Sequence, residues 1–346
     1  MAEQYRVGVI GCGSRGSMHI DAYKLLNRGK VVACCDVVKE KADERAQEFG
    51  IKAYYDPEAM IKEEQPDLIH ITTPPTARVN LLSLASDSGV PACTVEKPLA
   101  TGVEDWHQLQ DIEKAGASKI AVCHQFRWHR DFIRCQDAIN SGDLGKVIFL
   151  DISAGMNVSG QGTHVLNYGF SLVGESQITQ VFGSAFGDEG MSGFHPGPDT
   201  TAGYLSYANG VRGFWNNGST APRCGDRSTD YQHVRLAAYA EKGRILWEEF
   251  GKWEIATPDG IESGHFGGRD AWVDNNLKAQ AAFHNAMFDW IEDDRRIPGT
   301  NFRQSLHEWE VILALYASAL ERRPIALTDF NPPEDLFNRL KAALED

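Results

Sequence analysis

The stretch Tyr5-Arg6-Val7-Gly8-Val9-Ile10-Gly11-Cys12-Gly13-Ser14-Arg15-Gly16 decides the fold of the first part of this chain. Residues 5–10 form a compact apolar run that ends in glycine, the pattern of a buried strand. Gly11, Gly13 and Gly16 then spell GxGxxG, and apolar residues at helical spacing follow over 18–26. A glycine-rich turn alone says little. Between a buried strand and a helix it is the turn that receives a pyrophosphate. The first glycine permits the tight turn, the second lets the phosphates approach the backbone, and the third lets helix and strand pack closely. The helix N-terminus adds free N–H groups and positive partial charge, so Cys12, Ser14 and Arg15 join the three glycines as cofactor-binding positions. Asp36 ends the next strand pattern, twenty residues after Gly16. An acid there meets the adenosine ribose hydroxyls and repels a 2′-phosphate. NAD is expected over NADP.

Outward from this turn, strand and helix patterns alternate. Strands are expected at 31–35, 68–72, 92–95 and 120–123. Helices are expected at 39–49, from Asp56-Pro57 onward, at 77–88 and at 103–114. Gly50 is a natural C-terminal cap, and Asp56 caps a helix whose first turn holds Pro57. Such continuous apolar strands between helices make a parallel sheet covered on both faces. The pattern changes after 123. A helix at 131–140 precedes longer, alternating strands at 147–153, 202–207, 211–216, 234–239, 244–247 and 253–256. Asn209-Gly210 and Lys242-Gly243 read as hairpin turns of an antiparallel meander. Long helices are expected at 279–293 and 302–321, and the glycine-rich stretch 183–198 as a loop. The fold class is therefore α/β: a Rossmann dinucleotide-binding domain over 1–123, then an α+β domain over 124–346 with an open, mainly antiparallel sheet.

Composition narrows the partners. The 346 residues suggest about two domains at ~150 residues each. Lys and Arg total 34 against 48 acids, a net charge of −14, which argues against nucleic acid or an anionic membrane face. No basic targeting segment is visible, and no stretch approaches the ~20 apolar residues that span a bilayer. Seven cysteines, none in a CxxC pair, fit a reduced cytoplasmic protein without a disulfide framework. His124 and His129 lack helical metal-ligand spacing, so no metal is expected.

Chemistry is expected at Val95-Glu96-Lys97-Pro98, just past the strand 92–95, because open α/β sheets bind ligands outside the carboxyl ends of their strands. A lysine there acts as acid or base if burial or a nearby cation lowers its pKa toward ~7–8. The alternative is a surface lysine before a loop proline.

Four features together resemble the glucose–fructose oxidoreductase / inositol dehydrogenase (Gfo/Idh/MocA) family. They are Gly11–Gly16 with His19 three residues on, Thr73-Pro74, Glu96-Lys97-Pro98, and Val122-Cys123-His124-Gln125-Phe126-Arg127-Trp128. Residues 139–147, Ile-Asn-Ser-Gly-Asp-Leu-Gly-Lys-Val, also look like that family's passage into its second domain. The resemblance is dense over 5–150 and thin but consistent beyond.

It implies a catalytic Lys97 beside the nicotinamide, and a sugar or polyol substrate oxidised at a secondary hydroxyl, or its ketone reduced. It also implies cofactor contacts from Thr72, Thr73, Pro74, Glu96, Lys97 and Gln125. Gly160-Gln161-Gly162-Thr163-His164 matches the family's D-x-G-x-H, giving His164 as the second catalytic residue. The aspartate position, however, is Gly160, so the usual carboxylate partner is missing or comes from elsewhere. Asn167, one turn on, cannot take a proton. Arg78 stands where the family more often has histidine. Gln125, Arg127 and His129 are expected to orient the substrate together with Lys97 and His164. His129, His195 and His233 lack the register match that supports His164. Trp128, Trp215, Trp247, Trp253 and Trp272 are either core aromatics or a sugar-stacking platform. Arg223 and Arg227 could hold an anionic group. The resemblance also implies a homodimer or homotetramer. Two rival functions follow from it: a redox glycosidase that oxidises C3 transiently and releases an aglycone, and a non-enzymatic sugar or dinucleotide sensor.

Overall fold

A computed structural model of the chain describes residues 4–224 and 229–345. The chain divides into two compact units: Met1–Ala100, Asp105–Trp128 and Asp274–Leu306 in the first, and Thr101–Glu104, His129–Val273 and His307–Asp346 in the second. Among the described residues no helix is long and apolar enough to cross a membrane.

The first unit is built on six parallel strands: β1 (Tyr5–Ile10), β2 (Gly29–Cys35), β3 (Lys52–Tyr54), β4 (Leu68–Ile71), β5 (Ala92–Val95) and β6 (Lys119–Val122). Their order is β3-β2-β1-β4-β5-β6. The order reverses at β1, which pairs β2 on one side and β4 on the other. A crevice at that reversal is where such sheets take their ligands. Helices α1 (Ser14–Ala22), α2 (Lys39–Phe49), α3 (Pro57–Glu64), α4 (Arg78–Asp87) and α5 (Val103–Ala115) connect the strands. The expected punctuation is in place. Asp56 accepts from the backbone N–H groups of Glu58 and Ala59, both at 3.3 Å, and Gly50 closes α2 in the left-handed conformation.

The second unit holds a nine-stranded sheet: β7 (Val147–Ala154), β8 (Ile178–Phe186), β9 (Thr200–Tyr207), β10 (Arg212–Gly218), β11 (Val234–Ala240), β12 (Gly243–Glu248), β13 (Lys252–Thr257), β14 (Gly260–His265) and β15 (Ile325–Ala326). The order is β14-β13-β12-β11-β7-β10-β9-β8-β15. The pairings are antiparallel except β7 with β10, which run parallel. Helices α6 (Arg130–Asn140) and α7 (Thr163–Leu172) precede β8, and α8 (Arg269–Glu292), α9 (Phe302–Glu321) and α10 (Leu336–Glu345) follow the meander.

Two expectations are corrected by packing. The stretch 183–198 is not all loop, because β8 continues to Phe186. A Cβ on Gly183 would lie 2.2 Å from Leu315 Cδ1, and one on its cross-strand partner Gly203 2.6 Å from the same atom. The paired glycines form a notch for Leu315 of α9 rather than a turn. The linear division at 123 likewise does not describe 274–306. Phe283, Met287 and Phe288 of α8 are fully buried in one cluster with Val7, Val9, Ile20 and Leu68. Burial of each such side chain is worth roughly 1.5–3 kcal/mol, which holds this part of α8 to the first unit.

Candidate functional site

The glycine turn is built as its sequence requires. Gly11 has φ +103°, which a side chain would strain, and a Cβ there would lie 2.8 Å from Thr72 Oγ1. That hydroxyl donates to the Gly11 carbonyl at 2.7 Å and closes the turn. A Cβ on Gly16 would strike the Gly11 carbonyl oxygen at 2.1 Å, whereas one on Gly13 would meet nothing within 4 Å. Gly16 is thus needed for packing, and Gly13 faces open space. A cavity of about 580 Å³ opens here, lined among others by Gly11, Gly13, Asp36, Lys41, Thr73 and Pro74. Asp36 accepts from the backbone N–H of Cys12 on Oδ2 at 2.8 Å and from that of Val38 on Oδ1 at 2.9 Å. Those bonds fix the carboxylate and leave each oxygen further acceptor capacity. The open approach at Gly13, the N-terminus of α1 and the fixed Asp36 fit a dinucleotide with free ribose hydroxyls. Lys41 in the lining is a residue the sequence reading missed.

Past β5, the loop that carries Lys97 is tied to the same helix. Arg15 of α1 donates to Glu96 Oε1 from Nε at 2.9 Å and Nη2 at 2.6 Å. His19 Nε2 lies 3.1 Å from the same oxygen. Burial alone would raise the Glu96 carboxyl, but the Arg15 charge and the His19 contact outweigh it and hold it well below the usual carboxylate range. Arg15 and Glu96, expected at the cofactor, therefore meet each other. Arg78, 2% exposed, donates from Nη2 to the Lys97 carbonyl at 3.0 Å and to the Thr73 carbonyl at 3.4 Å. Burial pushes this guanidinium down to about 10.

Behind Glu96 lies a network that the sequence reading did not foresee. His19 Nδ1 is 3.1 Å from His284 Nε2, and the His284 ring stacks on His70 at 4.2 Å. His70 reaches Thr94 Oγ1 at 2.6 Å and Tyr23 Oη at 2.8 Å. Burial lowers the pKa of all three histidines. Two three-residue sets here offer atoms close enough for one ion: His19, His70 and His284, and His19, Glu96 and Cys123. In the first, His19 Nδ1 and His284 Nε2 already face each other, and both nitrogens of His70 are engaged by Thr94 and Tyr23. In the second, the Arg15 guanidinium already rests on Glu96 and lies 3.8 Å from the Cys123 sulfur.

Gln125 and Arg127 are buried in the first unit. Gln125 Nε2 donates to Asn276 Oδ1 at 3.0 Å, and Arg127 Nη1 to the Gly299 carbonyl at 3.2 Å. The remaining expected residues lie in the second unit. Asn157 Oδ1 accepts from the Gly160 N–H at 2.8 Å and opens a π-helical turn, Val158–Gly162, that leads into α7. Single π turns of this kind favour functional sites. A Cβ on Gly160 would lie 2.9 Å from that Asn157 oxygen, so an aspartate does not fit without moving the cap. Every residue of α7 is buried except His164, which is half-buried. Asn167 turns instead to the buried Glu308, at 2.5 Å.

His129 Nδ1 caps α6 by accepting from the Asp131 N–H at 3.2 Å, and burial pushes it down to about 4. His233 Nδ1 accepts from the Cys224 N–H at 2.9 Å. Trp215, Trp247 and Trp253 are core residues. Trp272 stacks on Phe250 at 5.2 Å, and Trp128 packs at 5.2 Å against Phe283. Arg223 pairs with Asp230 at 2.5 Å, and Arg227 lies outside the described residues.

Comparison with known proteins agrees with this geometry. A family model described as "Oxidoreductase family, NAD-binding Rossmann fold" matches residues 5–124. D-apiose dehydrogenase of Paraburkholderia graminis is 25% identical, over 94% of this chain and 90% of that protein. Myo-inositol 2-dehydrogenase of Thermotoga maritima is 25% identical, over 76% of this chain and 80% of that protein. An oxidoreductase from Agrobacterium radiobacter, solved in complex with NAD+, L-tartaric acid and magnesium, shares the fold with a TM-score of 0.79. It is 18% identical, covering 94% of this chain and 99% of that one.

Proposed function

Because residues 5–124 belong to the NAD-binding Rossmann domain of the Gfo/Idh/MocA oxidoreductases, we propose that this chain is an NAD-dependent dehydrogenase of a sugar or polyol, with Lys97 as its proton-transfer residue. The observation that carries the reading is the anchoring of Lys97. It stands directly past β5, Glu96 before it is gripped by Arg15 and His19 of α1, and Arg78 holds its carbonyl. The catalytic lysine and the cofactor turn thus share one rigid support.

Bound NAD supplies the hydride acceptor, C4 of the nicotinamide, in the oxidative direction. Lys97 Nζ takes the proton of the secondary hydroxyl as the carbon gives up hydride, and returns it in the reverse reaction. His164 hydrogen-bonds the substrate oxygen.

Self-association is part of the proposal. Phe182, Tyr204 and Phe214 lie side by side across β8, β9 and β10. Phe182 is 47% and Tyr204 60% exposed, an aromatic row suited to a second copy of the sheet.

A screen of sugars, polyols, sugar acids and glycosides with NAD, read by NADH formation, tests the reading. Turnover is expected on at least one compound with a free secondary hydroxyl, with a ketone as product. NAD binding without turnover on any of them would contradict it. Aglycone release with no net NADH would replace it by the glycosidase reading.

A further inference from the structure

A buried polar stripe on α8 carries an inference that rests on the proposed role of Lys97. Asn276, Gln280 and His284 follow one another at four-residue spacing, and all three are buried. They lie in the first unit beside Phe283, Met287 and Phe288 of its core. Apolar residues would fill that space without the cost of burying polar groups. Each of the three instead meets a polar side chain of the same unit. Asn276 Oδ1 accepts from Gln125 at 3.0 Å, the Gln280 amide lies 3.5 Å from the Cys123 sulfur, and His284 Nε2 lies 3.1 Å from His19 Nδ1.

We propose that His284 is a positioning residue for the reaction: its Nε2–H holds the His19 ring so that the His19 Nε2–H stays on Glu96, the residue before Lys97. The protons can be placed one by one. Glu96 is ionised, and a carboxylate only accepts, so the His19 nitrogen 3.1 Å from its Oε1 is an N–H. Burial, together with the Arg15 charge, outweighs the Glu96 contact and keeps His19 neutral. His19 Nδ1 therefore carries the lone pair, and the His284 nitrogen facing it must be an N–H. That leaves His284 Nδ1 as a lone pair. It has no hydrogen-bond partner among the described residues, which a buried acceptor tolerates better than a buried N–H.

The other groups around the two rings agree. His70 stacks on His284 and uses both its nitrogens on Thr94 and Tyr23. Arg15 rests on Glu96, and Cys123, whose pKa burial raises, stays a thiol. The Gln280 amide stands 3.0 Å from His284 Nε2. An amide offers an oxygen or an N–H in the same plane, and beside this N–H its oxygen is the matching end. Were its N–H there instead, the His284 proton would sit on the unpartnered Nδ1, and His19 would need a proton on both nitrogens. Held at one nitrogen only, the His19 ring could tilt away from Glu96. Held at both, it is fixed, and with it the carboxylate that precedes Lys97. A helix far from Lys97 in sequence thus supports the proton-transfer loop from within the first unit.

Nitrogen-15 NMR of the imidazoles in the cofactor-free protein at pH 8 reads the proton positions, with His19→Gln and His284→Gln identifying the two sets of signals by difference. Nε2–H is expected on both rings, with both Nδ1 atoms unprotonated. A doubly protonated His19, or an Nδ1–H on His284, would overturn the proposal, and this wild-type result stands even if a variant without the imidazole fails to fold. His284→Gln keeps an N–H donor near the place of Nε2, whereas His284→Leu removes it. The His19 Nε2–H should give a downfield, slowly exchanging proton signal in the wild type and in His284→Gln, and lose it to exchange with water in His284→Leu. On a substrate found by the NADH screen, His284→Leu should lose about tenfold in kcat and His284→Gln stay within about threefold of wild type. Equal kcat in the two variants, or a His19 signal that His284→Leu leaves in place, would count against the proposal. Turnover on no compound would contradict the dehydrogenase reading alone, and the spectra would still decide whether His284 holds His19 on Glu96.

Discussion

The guanidinium of Arg78 donates to the backbone carbonyl of Lys97 at 3.0 Å while only 2% of the residue is exposed. Its Nε and Nη1 have no hydrogen-bond partner among the described residues. A buried cation with unmet donors is costly, and its return is the fixed position of the Lys97 and Thr73 carbonyls. Arg78→Met should therefore keep or raise the melting temperature while kcat falls about tenfold through a loosened lysine. Calorimetry and steady-state kinetics check both. A lower melting temperature with unchanged kcat would make Arg78 purely structural.

The glycine turn makes a paired prediction. Gly16→Ala puts a Cβ 2.1 Å from a backbone carbonyl and should destabilise the fold by several kcal/mol (order of magnitude ~3). Gly13→Ala meets no protein atom. It should melt like the wild type yet bind NAD at least about tenfold more weakly, because the methyl stands where the phosphates approach. Equal loss of stability in both would refute the division of labour between the two glycines.

Asp36 is held by two backbone N–H groups, and its proposed role is to set the cofactor preference. Asp36→Ala should cost roughly 1.5–3 kcal/mol of NAD binding and narrow the discrimination against NADP. Titration calorimetry with both cofactors measures this. NADP binding the wild type as well as NAD does would contradict the role given to Asp36.

The histidine network predicts acid sensitivity. Burial lowers the pKa of His19, His70 and His284 in the folded protein, so they stay neutral while the unfolded chain protonates them near pH 6.5. Their contribution is fully present above that value and is lost as pH falls below it. The loss should be about 1 kcal/mol per histidine for each pH unit between 6.5 and the folded values. Urea denaturation at pH 7.5 and 5.5 measures it, and His284→Gln should flatten the slope. Equal stability at the two pH values would mean that the histidines are already charged in the folded protein.

Much of this was legible in the sequence, and the remainder has identifiable physical causes. The strand Ala92–Val95 and the helix Phe302–Glu321 lie where their periodicity placed them. The glycine turn lies between β1 and α1 where its spacing placed it, because Gly11 and Gly16 are constrained by local backbone geometry. What escaped was set by partners distant in sequence. Nothing local distinguishes Gly183 in a strand from Gly183 in a loop, because its cause is Leu315. The expected helix at 279–293 begins ten residues earlier, at Arg269, where polar residues carry no clear period. The aspartate lost at Gly160 was visible as an absence. The Tyr168 hydroxyl beside His164 has no signal in the local sequence.

The aromatic row of the open sheet predicts assembly. Light scattering should give at least a dimer, and Phe182→Lys with Tyr204→Lys should yield a folded monomer. A monomeric wild type at micromolar concentration would contradict the proposed use of this face.

The kinetics of Lys97→Met test the central claim most directly. The substitution keeps the length and packing of the stem and removes only the amine. General acid–base catalysis contributes typically 10²–10⁴-fold. The account predicts a fall of about that size in kcat, with NAD binding and melting temperature unchanged, and a larger loss than His164→Ala causes. Lys97→Met within about tenfold of wild-type kcat, with His164→Ala the more damaging, would contradict it and make His164 the principal proton-transfer residue.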